Sequence, residues 1–243
     1  MIKDYVALDL ETTGLSPVND RILEIGAIRV RDGQEEARLC TLVDCGMRIP
    51  ERISALTGIT NEMLEEARSH GSAPQTAQAV RELTEFCEEL PLLGHNIIFD
   101  YGFVRQHAAN HGMEFCRHGI DTLKIAKRFL GVLPSRRLEA LCDHYHIETR
   151  AHHRAVEDAL AAAKLYGRLS EEFETMDAGA FLPQELIYSV KKMCPATKFQ
   201  KAYLIDLVKY HRIALDVPID GLTKNEASRL IDRIILTYGR IRR

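Results

Sequence analysis

Val6-Ala7-Leu8-Asp9-Leu10-Glu11-Thr12-Thr13-Gly14-Leu15 reads as a β-strand that ends in two acids. Residues 4–11 alternate, so Val6, Leu8 and Leu10 share one face while Tyr5, Ala7, Asp9 and Glu11 share the other. A spacing of two therefore sends both carboxylates to the same side, where they repel unless a cation sits between them. Gly14 and Pro17 break the strand. Working outward, residues 21–31 read as a second strand, Asp32-Gly33 as a hairpin turn, and residues 38–43 as a third strand. Leu92-Leu93-Gly94-His95 reads as a short buried strand. Residues 100–111 read as a helix with Phe99, Phe103 and His107 on one stripe and Gly112 as its cap. Residues 138–145 and the alanine-rich 154–173 read as further helices. Strands first and helices after predict an α/β architecture, a mixed sheet flanked by helices.

The chain has 243 residues, 46% of them apolar, which suffices for one generous domain or one domain plus a small one. No run of about 18 apolar residues exists, so no membrane partner is expected. The opening Met1-Ile2-Lys3-Asp4 leads straight into a strand and lacks the layout of a signal peptide, so a cytoplasmic protein is expected. Six scattered cysteines without a Cys-x-x-Cys pair argue against a structural zinc site and fit reduced thiols. The net charge of −3 hides an asymmetry: residues 183–243 hold 12 Lys and Arg against 6 Asp and Glu, whereas residues 1–182 hold 20 against 29. Met176-Asp177-Ala178-Gly179-Ala180 reads as a linker, placing domains at 1–175 and 183–243. The second is a small basic helical module, with helices expected at 183–193, 197–211 and 223–238. Thr223-Lys224-Asn225-Glu226 is a capping box for the last of these. A basic tail of this kind attracts nucleic acid or is simply a solvated face.

Two further segments carry chemistry. Gly94-His95-Asn96-Ile97-Ile98-Phe99-Asp100-Tyr101-Gly102-Phe103-Val104 puts Asp100 at the start of a helix, where a carboxylate is ordinarily a cap. Ala151-His152-His153-Arg154-Ala155-Val156-Glu157-Asp158-Ala159 puts Asp158 in the first turns of the long helix. Ala155, Ala159 and Ala162 are small enough there to let the helix approach the sheet. A spacing of five keeps His153 and Asp158 off a common helical face, so they need not be co-ligands. Four carboxylates and one histidine form the inventory of a two-metal phosphodiesterase: hard divalent cations take oxygen ligands, and a histidine accepts a proton from water.

In order and local wording these segments resemble the DEDDh (DnaQ-like) 3′–5′ exonuclease family over roughly the first two-thirds of the chain. Glu24-Ile25-Gly26-Ala27, Ser54-Ala55-Leu56-Thr57-Gly58-Ile59-Thr60, Asp121-Thr122-Leu123 and Leu138-Glu139-Ala140-Leu141-Cys142 also resemble family wording. His146 departs from it, standing where relatives usually have a capping glycine. The resemblance implies a ribonuclease-H-like fold and two Mg²⁺ or Mn²⁺ ions held by Asp9, Glu11, Asp100 and Asp158. It implies His153, rather than His152, as the proton acceptor that activates the attacking water. It also implies contacts to the terminal nucleotide from Thr12, Thr13, Gly14, Leu15, Leu56, Thr57, Asn96 and Phe103, with Phe99 read as core. The substrate it implies is the 3′ end of a single nucleic-acid strand, released as nucleoside 5′-monophosphates. DNA is favoured over RNA, because the wording is closest to the polymerase-associated branch concerned with DNA replication and repair. A DNA polymerase or repair protein is an expected partner of the C-terminal module. The alternatives are an RNA-trimming enzyme of the ribonuclease T or oligoribonuclease kind and a non-catalytic polymerase-associated binding module. A missing member of the five would favour the last, and none is missing.

Overall fold

The structure is a computed structural model and describes residues 1–149, 154–192, 194–215 and 217–241. It divides into two compact units, Met1–Val190 and Lys191–Arg243.

In the first unit β1 (Tyr5–Thr12), β2 (Ile22–Arg31) and β3 (Gln34–Leu42) form an antiparallel meander. The β2–β3 turn has Asp32 at φ 50° and Gly33 at φ 78°. Both central residues are thus left-handed, as the tight hairpin turns that match strand twist require. Three helices follow, α1 (Glu51–Thr57), α2 (Asn61–Ser69) and α3 (Thr76–Cys87). The chain then runs β4 (Leu92–Gly94), α4 (Ile97–Asn110), β5 (His118–Asp121), α5 (Thr122–Phe129), α6 (Leu138–His144), α7 (Ala155–Phe173) and β6 (Gln184–Glu185). The sheet order is β3-β2-β1-β4-β5-β6, with β1, β4 and β5 parallel and the rest antiparallel. It is the ribonuclease-H-like mixed sheet flanked by helices.

The alternation of β1 sorts its side chains as expected. Val6, Leu8 and Leu10 enter a core with residues of α3 and α4, and Tyr5 and Ala7 enter a second core with α5, α6 and α7. Both faces of β1 are thus covered, which suits a strand with parallel neighbours. Where α7 begins it lies directly on β2. A Cβ built on Gly26 would fall 2.1 Å from both the Ala155 carbonyl carbon and the Val156 nitrogen. Only glycine permits that approach.

Three expectations need correction. Helix α4 starts at Ile97, a turn before the expected Asp100, because Asn96 takes a left-handed φ of 73° and launches the helix directly from β4. The stretch 176–180 is no linker: a 3₁₀ turn at Ala178–Phe181 drops Phe181 into the second core, where its carbonyl accepts the Tyr166 hydroxyl at 3.1 Å. Residues 183–193 form no helix among the described positions. Leu186 and Tyr188 pack inward and Ile187 outward, a period of two, and β6 joins the sheet edge. The break between units accordingly falls at Val190–Lys191.

The second unit contains α8 (Lys198–His211) and α9 (Lys224–Tyr238), each opened by a complete capping box, Thr197 with Gln200 and Thr223 with Glu226. Leu204, Leu207, Leu222, Ala227 and Ile234 form its small core. Among the described residues no helix is long and apolar enough to cross a membrane.

The contact at Gly26 generates a paired prediction. Gly26→Ala should cost at least about 2 kcal/mol by overpacking against backbone that cannot yield. Gly167→Ala, in α7 with open space around it, should be neutral or slightly stabilising. Thermal denaturation of the two variants checks this; equal melting temperatures would contradict the close approach.

Candidate metal centre

Strand β1 supplies Asp9 and Glu11 on the face covered by α7, and α7 supplies Asp158 in its first turn. One ligand oxygen from each of the three lies within 4.8 Å of the other two. Asp100 arrives by a different route. Strand β4 ends at Gly94 after pairing with β1 at Val6 and Ala7, so the Leu10 amide further along β1 needs another acceptor. Asp100 Oδ1, in the first turn of α4, accepts that amide at 3.0 Å. The bond pins the buried Asp100 to β1 between Asp9 and Glu11.

So much negative charge in a buried place perturbs protonation. Burial first, then Asp100, Asp158, Glu11 and Glu24, hold the Asp9 carboxyl well above the usual carboxylate range. Burial together with Asp158 and Glu24 pushes Glu11 up to about 8, with Arg154 pulling the other way. Asp100 is raised by burial, against the opposing pull of the amides it accepts. Two carboxylates at such a separation repel by about 3 kcal/mol at an effective dielectric constant of 20. The donor set is all hard oxygen and short of positive charge, which fits a divalent cation of the Mg²⁺ or Mn²⁺ kind.

A residue whose role the sequence did not reveal holds this arrangement. Glu24 stands opposite Glu11 in the β1–β2 ladder and is fully buried. Its carboxylate accepts Arg154 Nη2 at 2.6 Å, Arg154 Nε at 3.0 Å and the Ala155 amide at 2.9 Å. Helix α7 has no side-chain cap from its own N-cap residue, so Glu24 serves one of its orphan amides from across the sheet. In the sequence Glu24 appeared only within the Glu24-Ile25-Gly26-Ala27 wording that resembles the family, which gives no sign of its partners.

Of the expected substrate residues, Thr12, Thr13, Gly14 and Leu15 continue β1 past the acids. The Thr13 hydroxyl accepts the Arg21 amide at 2.9 Å, and the Thr12 hydroxyl donates to Gly14 O at 2.7 Å. A Cβ on Gly14 would meet the Asp20 carboxylate at 2.6 Å. These bonds close a rigid loop from which Leu15 projects, 85% exposed. Leu56 on α1 is exposed as well, but Thr57 is buried with its hydroxyl spent on Ile53 O and the Ile59 amide. Asn96 is exposed. Phe103 is a correction: it is 0% exposed, in the core between Phe99 and His107, and offers no surface to a substrate. Phe99, read as core, is the half-buried one. His146 takes a left-handed φ of 54°, so histidine does stand in for the capping glycine. His152 and His153 lie outside the described residues.

The family model described as an exonuclease matches residues 6–166. A PolC-type DNA polymerase III of Clostridium perfringens is 33% identical over 178 residues, covering 72% of this chain but 12% of the relative. The chain thus spans about an eighth of that polymerase's length. Among solved structures, exonuclease X in complex with 5′ overhanging duplex DNA is 23% identical with a TM-score of 0.55, covering 70% of this chain and 92% of that one. An exonuclease I structure is 18% identical with a TM-score of 0.64, covering 72% and 42%. Both show the shared fold.

Two predictions come from the electrostatics. With EDTA present, the fold should lose stability as pH rises from about 4.5 towards 8. The folded state keeps protons on Glu11 and Asp9 that the unfolded chain has already released, and it must surrender them in that window. Asp9→Asn should flatten the decline, and Mn²⁺ should raise the melting temperature more at pH 8 than at pH 5. A melting temperature that climbs with pH over this range in EDTA would contradict the cluster. Separately, Glu24→Gln should destabilise by about 1–2 kcal/mol, since it weakens the bonds to Arg154, which is itself partly solvated. A double-mutant cycle with Arg154→Met should show coupling; additive effects would refute the pair.

Proposed function

The chain belongs to the DnaQ-like 3′–5′ exonuclease family, and from that premise we propose that it hydrolyses single-stranded DNA from the 3′ end, releasing nucleoside 5′-monophosphates with the help of two divalent cations. The observation that carries this reading is the convergence of Asp9, Glu11 and Asp158 within 4.8 Å, with Asp100 pinned beside them. Asp9, Glu11, Asp100 and Asp158 would hold the ions, Mg²⁺ or Mn²⁺. When bound, such ions supply positive charge against the phosphate oxygens during attack and departure. His153, as a neutral imidazole, takes a proton from the attacking water, so protonation of the ring at acid pH switches the reaction off. The rigid loop at Thr12, Thr13 and Gly14 presents backbone to the terminal nucleotide, and the exposed Leu15 and Leu56 offer apolar contact to its base. Asn96, exposed in the turn between β4 and the Asp100 helix, is a further contact to the terminal nucleotide in this reading. Preference for DNA over RNA is supported by the PolC-type polymerase name of the relative.

The test is cleavage of matched 5′-labelled single-stranded DNA and RNA with Mg²⁺, with Mn²⁺ and with EDTA. A metal-dependent ladder shortening from the 3′ end, stronger on DNA, is expected. Asp9→Ala should abolish it. His153→Ala should lower it by about 10²- to 10⁴-fold while leaving the Mn²⁺-induced rise in melting temperature intact. RNA cut in preference to DNA would move the chain to the RNA-trimming reading. Absence of cleavage by folded wild-type protein would refute the nuclease reading.

A further inference from the structure

The second unit has a surface that its own small core does not explain. Helix α8 ends at His211, with Arg212 left-handed at φ 54°, and α9 ends at Tyr238, with Gly239 at φ 91°. The two ends meet: His211 Nε2 donates to the Gly239 carbonyl at 3.0 Å. Around that bond three rings are assembled. Tyr210 and His211 stand edge to face with centroids 4.9 Å apart, and His211 and Tyr238 lie tilted at 5.6 Å. The core of this unit is aliphatic, so neither tyrosine is needed to fill it, and they remain 49% and 55% exposed. Lys209, Arg212 and Arg240 lie one or two residues from the ring-bearing positions in sequence, all exposed, and none is engaged in an ion pair among the described residues. The acids of these helices sit farther back, Asp206 about one turn and Asp232 nearly two turns from the ends.

Basic side chains near a helix C-terminus offset the helix dipole, which accounts for Lys209. Dipole compensation does not account for two exposed tyrosines locked in place by a hydrogen-bonded histidine, or for Arg240 beyond the helix. We propose that this aromatic and basic end of the second unit binds single-stranded nucleic acid, with bases stacking on Tyr210 and Tyr238 and phosphates facing Lys209, Arg212 and Arg240. Exposed ring faces with cations beside them match an unpaired strand, whose bases and phosphates are both accessible; a duplex hides its base faces. Pre-set rings also lose little conformational freedom on binding. The proposal rests on the nuclease reading only in taking the bound strand to be the substrate.

The experiment measures binding of fluorescein-labelled dT20 to the full chain in EDTA by anisotropy, across a salt series. Tyr210→Leu with Tyr238→Leu should weaken binding about tenfold or more, whereas Tyr210→Phe with Tyr238→Phe, keeping the rings, should bind as wild type does. Lys209→Gln with Arg212→Gln and Arg240→Gln should weaken binding and lower the slope of log affinity against log salt by about 2. Hydrolysis of a tetranucleotide in Mg²⁺ should be unchanged in all of these. Should the leucine variant fail to fold, the charge variant, confined to exposed positions, decides alone. Unchanged dT20 affinity in the folded variants, or equal affinity of wild type for a blunt duplex, would overturn the proposal. Binding in EDTA is independent of cleavage, so a chain that binds through this surface yet cuts nothing refutes the nuclease reading and not this one.

Discussion

Glu24 is the side chain through which the sheet and the long helix are locked into one geometry. It is fully buried on β2, yet its partners are the Arg154 guanidinium and the first amide of α7. A buried carboxylate persists only where hydrogen bonds and opposite charge replace water, so the start of α7 has no freedom to drift. Gly26, two residues along, removes the Cβ that would hold the helix off. Together they fix where Asp158 falls relative to Asp9 and Glu11.

A second constraint acts at right angles to the first. Strand β1 outruns β4, and Asp100 accepts the amide that the missing strand leaves behind. A backbone requirement thus delivers the fourth carboxylate without any attraction among the acids themselves. Their mutual repulsion and their burial both oppose ionisation, and both are sustained by a strand packed on each of its faces. A divalent cation among these oxygens would offset that repulsion, and the scaffold that holds them together is constrained in both directions.

Much of this was legible in the sequence, and for definite reasons. Period-two alternation placed Asp9 and Glu11 on one face before any contact was known. The left-handed Asp32-Gly33 turn and the two capping boxes are local chemistry, fixed by a few residues each. What escaped was non-local. Phe181 is anchored by Tyr166 and Leu186 by the sheet edge, so a stretch that looked like a linker and a helix became core and strand. Phe103 is fully buried while Phe99 packs on the core half-buried, and sequence alone does not say which of two neighbouring aromatics a helix turns further inward. Glu24 looked like an ordinary strand acid, since its partners are 130 and 131 residues away.

The exposed leucines show how the two kinds of information join. Leu15 sits in a loop held by its own hydrogen bonds, from the Thr12 hydroxyl on Gly14 O to the Asp20 carboxylate on the Ser16 amide, and tied to α4 through His107 on Asp20 O. Such a loop has no local reason to present an apolar side chain at 85% exposure. Single exposed leucines are common and require nothing of function. One held on a rigid loop that continues directly from two perturbed carboxylates is different, because rigidity there costs conformational entropy that a free surface residue need not give up. Under the function proposed above, the base of the terminal nucleotide would lie against the leucine and offset that cost.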